Sequence, residues 1–279
     1  MERIFTYFSA YPTVRYAAIA IILISVCAAL LGICLVLKRY SMIGDGLSHV
    51  SFGATAIATV LGLTTPIYIA LPITVLAAIL LLRIRTNSGV KGDSAIAMIS
   101  SGALAFGYLL LNLFAGNSAN VGADACATLF GSGIMGIDKS DVIVCAILSA
   151  IVLMFFILFY NKVFSVTFDE DFATVTGQKA SVYNAVIAVI SAVTIVVAMN
   201  MLGALLASAL VVFPALSAMR LFKSFKGVTL CAVTISVICG AVGILISLAA
   251  ATAIGPTVVV ADLIVFLICI AISIIRKKR

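Results

Sequence analysis

Asp45 and His49 are the two residues of this chain whose types and spacing best suit binding chemistry. Four positions separate them, so on a helix their side chains project from one face, about one turn apart. A carboxylate oxygen and an imidazole nitrogen are ligands for a borderline divalent ion such as Zn²⁺ or a harder one such as Mn²⁺. His49 is the only histidine in the chain. One copy therefore supplies half a site, and a second copy related by a two-fold axis would complete four ligands.

A structural role is the alternative for the same pair. Asp45 lies near a predicted helix start, where a carboxylate can cap the helix and hydrogen-bond a core histidine. The residues alone leave both interpretations open. Ser48 and Asp262 are further candidates for the same pathway, and Asp124 is a candidate addition to the site. Asp262 lies in the last apolar run, where ionisable groups are costly and each is a functional candidate.

The elements that must position these residues are membrane helices. Only 10% of the 279 residues are charged and 64% are hydrophobic, whereas soluble proteins carry about 25% charged residues. The apolar runs have about the 20 residues needed to cross a bilayer. The sequence therefore predicts an all-α, polytopic membrane protein with about nine transmembrane helices, with eight or ten as alternatives. The predicted spans are 16–38, 43–63, 66–83, 94–115, 141–160, 182–200, 203–221, 228–251 and 257–275.

The placement of charged residues and cysteines gives further information on topology and on the class of protein. The net charge of +7 comes from Lys and Arg on alternate loops, which the positive-inside rule places in the cytoplasm with the C-terminus. Arg3 and Arg15 fall on the opposite side. The basic charge therefore predicts a topology and no nucleic-acid partner.

No composition shift divides the chain, so 1–279 is predicted to be a single transmembrane domain. The seven cysteines are scattered without a CxxC pair and are assigned no function.

An acidic insert interrupts one of the basic loops, at 161–181. Its centre has the sequence FDEDFATVTG at 168–177, in which three acids stand beside Phe168 and Phe172 and Gly177 ends the pattern. This pattern predicts a short capped helix that lies against the membrane or a soluble partner.

Three segments of the chain, in order, resemble the ABC-3 permeases, which are the membrane subunits of ATP-binding-cassette importers for zinc and manganese. GDGLSHVSFGATA at 44–56 is similar to that family's G-D-A-L-S-H-A-like motif, and FDEDFATVTG at 168–177 is similar to its coupling segment. GALLASALVVFPALSAMRL at 203–221 is similar to its small-residue helix with an internal proline. Weaker similarities occur at 91–110 and 129–137.

The resemblance implies a homodimeric channel in a bacterial cell membrane, surrounded by lipid, with cytoplasmic ATPase subunits and an extracellular metal-binding protein as partners. It implies that Asp45 and His49 line the path of a transported Zn²⁺ or Mn²⁺, with no permanently bound cofactor. His-Val-Ser-Phe-Gly stands where Leu-Pro-Gly often follows the motif in relatives, and this favours zinc. The ATPase-coupling residues would be Phe168, Asp169, Glu170, Asp171, Phe172, Ala173 and Gly177.

The chain lacks a GxxxxGK[ST] loop, so ATP hydrolysis is expected from a separate subunit and the chain is not expected to be an enzyme. A gradient-driven secondary transporter, with Asp45 and His49 as a proton relay, is the first rival. It gives the 168–177 insert no role. An intramembrane metalloprotease would need HExxH or a comparable ligand set, which a single histidine nearly excludes.

Overall fold

The structure is a computed structural model that describes residues 11–63, 65–87, 92–114, 129–131 and 136–278. Ten helices lie wholly within these residues, so the all-α prediction is confirmed. They are α1 (Pro12–Leu37), α2 (Ile43–Val60), α3 (Ile67–Asn87), α4 (Gly92–Phe114), α5 (Lys139–Phe168), α6 (Glu170–Val175), α7 (Ala180–Leu202), α8 (Ala204–Leu221), α9 (Phe225–Ala250) and α10 (Ile254–Lys278).

Seven of these helices are long and apolar enough to cross a membrane by length and composition: α1, α4, α5, α7, α8, α9 and α10. A shorter apolar stretch, Ile67–Leu81, lies in α3. The helix α2 carries Asp45, His49 and several Ser and Thr residues, which lower its hydropathy. The nine long helices among the described residues overlap the nine predicted spans, so the predicted count is roughly consistent with the structure of a multi-pass membrane protein.

The helix α5 is longer than its predicted span of 141–160. It continues to Phe168, with non-helical backbone angles at Phe159 (φ −110°, ψ 19°). Asn161 and Lys162 interrupt the apolar run, so the predicted span stops at 160. The helix nevertheless continues because Val163 and Val166 remain buried. Part of the predicted 161–181 segment is therefore helix α5.

The centre of the bundle is α1, which packs against α5, α8 and α9. Residues Ile21, Ile24 and Leu31 of α1 are at most 1% exposed. Gly32 faces α8 so closely that a Cβ at this position would overlap the carbonyl oxygen of Val211. A residue without a side chain is required there because the two backbones touch.

Gly203 alone separates α7 from α8 and has φ of +91°. The two helices therefore form a tight hairpin at Gly203. The hairpin packs on Gly131, which also has positive φ (+79°). A Cβ on Gly131 would overlap the carbonyl oxygen of Leu202, and a Cβ on Gly203 would overlap the backbone of Gly131. The start of α10 joins this junction, since a Cβ on Gly255 would lie 2.8 Å from the carbonyl oxygen of Phe130.

Candidate metal site

Asp45 lies in the first turn of α2 but does not cap it. The helix begins at Ile43, and its N-cap residue, Met42, makes no side-chain cap hydrogen bond. The capping role considered above for Asp45 is therefore wrong, because the carboxylate lies three residues inside the cap position. A negative charge in the first turn is still favoured by the helix dipole. The carboxylate points along the helix face toward His49.

The Asp45 and His49 side chains meet on one face of α2. Their closest atoms, Asp45 Oδ1 and His49 Nε2, are 3.5 Å apart. The Asp45 side chain is 46% exposed and the His49 side chain 20% exposed. Since strong hydrogen bonds of this type span about 2.7–2.9 Å, the pair is open rather than closed on itself. An ion outside the chain can therefore reach this face of α2.

The separation of these two atoms suits a shared divalent ion. Zinc bonds of about 2.0–2.2 Å to nitrogen and oxygen at a tetrahedral angle place the two ligand atoms about 3.4 Å apart. The observed 3.5 Å matches that edge without rearrangement. No group of three or more His, Cys, Asp or Glu side chains that could hold a metal occurs among the described residues. Two ligands from one chain can bind an ion only weakly, which is what passage of an ion requires.

The second imidazole nitrogen, His49 Nδ1, is buried and has no hydrogen-bond partner among the described residues. Metal-binding histidines usually donate this second N–H to a carbonyl or carboxylate, which fixes the ring. Among the described residues, His49 has no such support at Nδ1, and its polar contact is the one between Nε2 and the Asp45 carboxylate.

Two glycines on either side of Asp45 let α2 fit between its neighbours. A Cβ on Gly44 would lie 3.6 Å from Ser208 Cα of α8, and one on Gly46 would lie 2.6 Å from Ile96 Cγ2 of α4. Further along α2, a Cβ on Gly53 would lie 2.8 Å from the carbonyl oxygen of Ala103 in α4. These contacts fix the rotation of α2 and thereby the direction in which Asp45 points.

Ser48 and Asp262 are placed differently from the pair. Ser48 is fully buried and donates its hydroxyl to the Asp45 carbonyl oxygen at 2.8 Å. Asp262 is fully buried in α10, and neither of its carboxylate oxygens has a hydrogen-bond partner among the described residues. Its near neighbour is the thiol of Cys239 in α9. Asp124 lies outside the described residues.

Sequence reasoning missed Cys239 as the neighbour of Asp262. The helices α9 and α10 form a hairpin that turns at 251–253, but spacing from the turn brings Cys239 and Asp262 only to within about one helical turn of each other. The six cysteines among the described residues are all free.

The acidic insert forms the short capped helix α6. Asp169 is its N-cap, and the Asp169 carboxylate accepts a hydrogen bond from the Phe172 backbone N–H at 2.9 Å. Gly177 ends the segment with φ of +82°, a conformation that favours glycine. Ala173 is fully buried and packs with Val166 of α5 and the start of α7. The segment is therefore anchored to the bundle at both ends.

The surface formed by α6 and by Phe168, the last residue of α5, is apolar and acidic. Phe168 is 58% exposed and Phe172 61% exposed, and Glu170 and Asp171 are exposed beside them. Phe168 is braced from behind by the rings of Phe164 and Phe225, whose centroids lie 4.9 and 6.3 Å away. Braced, exposed aromatic rings surrounded by charge are typical of a protein-binding surface.

The chain is similar in sequence to known membrane permeases. The model of the ABC 3 transport family matches residues 10–273. The manganese import system permease protein ScaB of Streptococcus gordonii is 27% identical over 92% of this chain and 90% of its own length. The high-affinity zinc uptake system membrane protein ZnuB of Haemophilus influenzae is 27% identical over 92% of this chain and 95% of its own length.

A solved structure shows the same fold. PsaBC from Streptococcus pneumoniae, in complex with a Fab, contains a chain that superposes with a TM-score of 0.82 at 27% identity, covering 96% of this chain and 94% of that one. The three sequence motifs, the helical bundle and the family match point to one assignment. The chain belongs to the ABC 3 transport family and is a multi-pass membrane permease.

Proposed function

We propose that this chain is the membrane subunit of an ATP-driven importer of divalent transition metal ions, with Zn²⁺ as the cargo. The observation that carries the proposal is the open Asp45–His49 pair, whose atoms are 3.5 Å apart on a partly exposed helix face. Relatives named for manganese and for zinc transport support the cargo class equally. Imidazole ligation favours zinc over manganese, which prefers oxygen ligands.

A second copy of the chain completes the site in this proposal. Each copy offers one carboxylate and one imidazole, and two copies around a two-fold axis offer the four ligands of a tetrahedral ion. Such a site exists only while the two α2 faces approach each other. Moving the copies apart breaks it and releases the ion, so coordination is coupled to conformation. Ser48 and Asp262 are kept as candidates for the same pathway.

The energy for that movement comes from outside the chain. We infer that cytoplasmic ATPase subunits dock on α6 through Phe168 and Phe172, and that an extracellular metal-binding protein delivers the ion. Because Asp169 caps α6 and Ala173 fixes it to α5 and α7, a push on α6 is transmitted to two membrane helices. The permease itself takes no part in hydrolysis.

Uptake by the assembled transporter tests this function. Vesicles that contain the complete complex should accumulate radioactive zinc when ATP is inside with the ATPase subunits, and should fail to do so with a hydrolysis-deficient ATPase subunit. Excess manganese should compete weakly. If uptake instead persists without hydrolysis and stops when the proton or sodium gradient is collapsed, the chain is a secondary transporter and the proposal is wrong.

Truncating Phe172 to Ala should weaken binding of the ATPase subunit at least tenfold, since an exposed aromatic anchor contributes about 2 kcal/mol or more to an interface. Phe172 is 61% exposed, so the permease itself should keep its thermal stability. The measurement is titration of the purified ATPase subunit onto the permease in nanodiscs. Leu230→Ala, a truncation on α9 at a side chain that is 73% exposed, is the control. Equal affinities for native and Phe172→Ala permease would remove α6 from the interface.

A further inference from the structure

A cleft of about 320 Å³ lies between the end of α5 and the start of α7, beside the loop that follows α6. It is lined by Lys162, Gly177, Gln178, Lys179, Val182 and Tyr183. At the same end of α7, Lys38 donates a hydrogen bond to the Asn184 side-chain oxygen. Of the residues that line the cleft, only Gly177 belongs to the segment that the proposed transport mechanism uses.

The cleft is positively charged, because two lysines and no acidic residue line it. Neither Lys162 nor Lys179 forms an ion pair with a carboxylate among the described residues, and the acidic side chains of α6 do not line the cleft. The Lys162 ammonium nitrogen lies 5.7 Å from the centroid of the Phe159 ring and 5.8 Å from that of Tyr183. Cation–π contacts at this range orient the ammonium group over the cleft. An anion there would meet two lysines.

The cleft also offers an acceptor and an apolar flank. The Gln178 side-chain oxygen is buried and has no hydrogen-bond partner among the described residues. A buried acceptor without a partner is costly, and a hydroxyl donor would satisfy it. The cleft is also lined by Val182 of α7, whose side chain is apolar and 53% exposed. A ligand with an anionic group, a hydroxyl donor and a hydrocarbon chain would use all three features.

We propose that this cleft binds the headgroup of an anionic glycerophospholipid. The phosphate lies between Lys162 and Lys179, a headgroup hydroxyl donates to the Gln178 oxygen, and the acyl chains follow the exposed apolar surface of α5 and α7. Basic pockets between helices at the basic-loop side of a membrane protein are typical sites for such lipids. The bound lipid would contact the loop that joins α6 to α7. This site is independent of the proposed metal path.

A single tryptophan makes the test direct, because the native chain contains none. Val182→Trp places a fluorophore at the cleft of the full-length permease in nanodiscs. Phosphatidylglycerol and phosphatidylcholine with brominated acyl chains are then compared as quenchers at equal mole fraction. Phosphatidylglycerol should quench with an apparent affinity on the order of tenfold higher, since each lysine near an anionic surface adds attraction.

Substitutions identify the residues responsible. Lys162→Gln with Lys179→Gln should abolish the preference for phosphatidylglycerol, and Lys162→Arg with Lys179→Arg should retain it. Lys223→Gln with Lys226→Gln, which neutralises two exposed lysines of another basic loop, should leave the preference unchanged. Equal quenching by the two lipids would overturn the proposal. Displacement by millimolar inorganic phosphate would also overturn it, because the cleft would then be a site for free anions.

Discussion

His49→Ala and Asp45→Ala permeases should each transport zinc at least a hundredfold more slowly than the native chain. Loss of a residue that only supports a metal ligand costs about 10–100-fold in affinity or activity, so loss of a ligand should cost no less. Each substitution removes two of the four proposed ligands, because both copies change together. The measurement is ATP-dependent uptake of radioactive zinc at equal abundance of the assembled complex.

Thr59→Ala is the matched control for these two variants. Thr59 is an exposed polar residue of the same helix whose hydroxyl donates only to the Thr55 carbonyl oxygen, at 2.9 Å. Its loss should leave uptake unchanged. Co-purification of the ATPase subunits with each variant separates a lost site from a lost assembly. Normal uptake by both His49→Ala and Asp45→Ala permeases would show that the pair only contributes to packing.

Gly32→Ala should destabilise the permease by roughly 3 kcal/mol or more, the upper range for adding atoms to a packed interior. The new Cβ would overlap the carbonyl oxygen of Val211, and backbone cannot rotate away as a side chain can. Since α8 packs against both α1 and α2, the displacement would reach the metal site as well. The apparent melting temperature in nanodiscs should fall by roughly 5–10 °C.

Gly102→Ala tests whether the expected loss comes from the helix crossing. Gly102 also lies within a membrane helix, α4, but no atom of the described residues lies within 4 Å of the position a Cβ would take there. Alanine is a better helix former than glycine, so this variant should be as stable as the native chain or slightly more stable. Similar melting temperatures for Gly32→Ala and native permease would mean that α1 and α8 are farther apart than described.

The membrane helices were predicted well because the length of each apolar run can be read directly from the sequence. That length does not show where a helix ends, so the last turns of α5, from Asn161 to Phe168, were missed. Ser224 was missed in the same way: it lies four residues before the predicted span begins, and its hydroxyl caps α9 by accepting from Gly227 N–H.

The candidate site was only partly predictable. The four-residue spacing of Asp45 and His49 places them on one face of any helix, and the structure has them in contact. Spacing does not say which neighbours surround that face, so the approach of Ile96 to Gly46 and of Ser208 to Gly44 required the fold. The partnerless nitrogen of His49 and the Cys239 neighbour of Asp262 likewise depend on long-range packing.

The most direct test of the central claim is X-ray absorption spectroscopy of zinc bound to the complete transporter, trapped with its ATPase subunits in one state. The account predicts one zinc ion for every two permease chains, with imidazole scattering from two histidines and the remaining ligands oxygen. His49→Ala should remove the imidazole signal. An ion whose spectrum contains no imidazole, or is unchanged by His49→Ala, would contradict the assignment of Asp45 and His49 to the metal path.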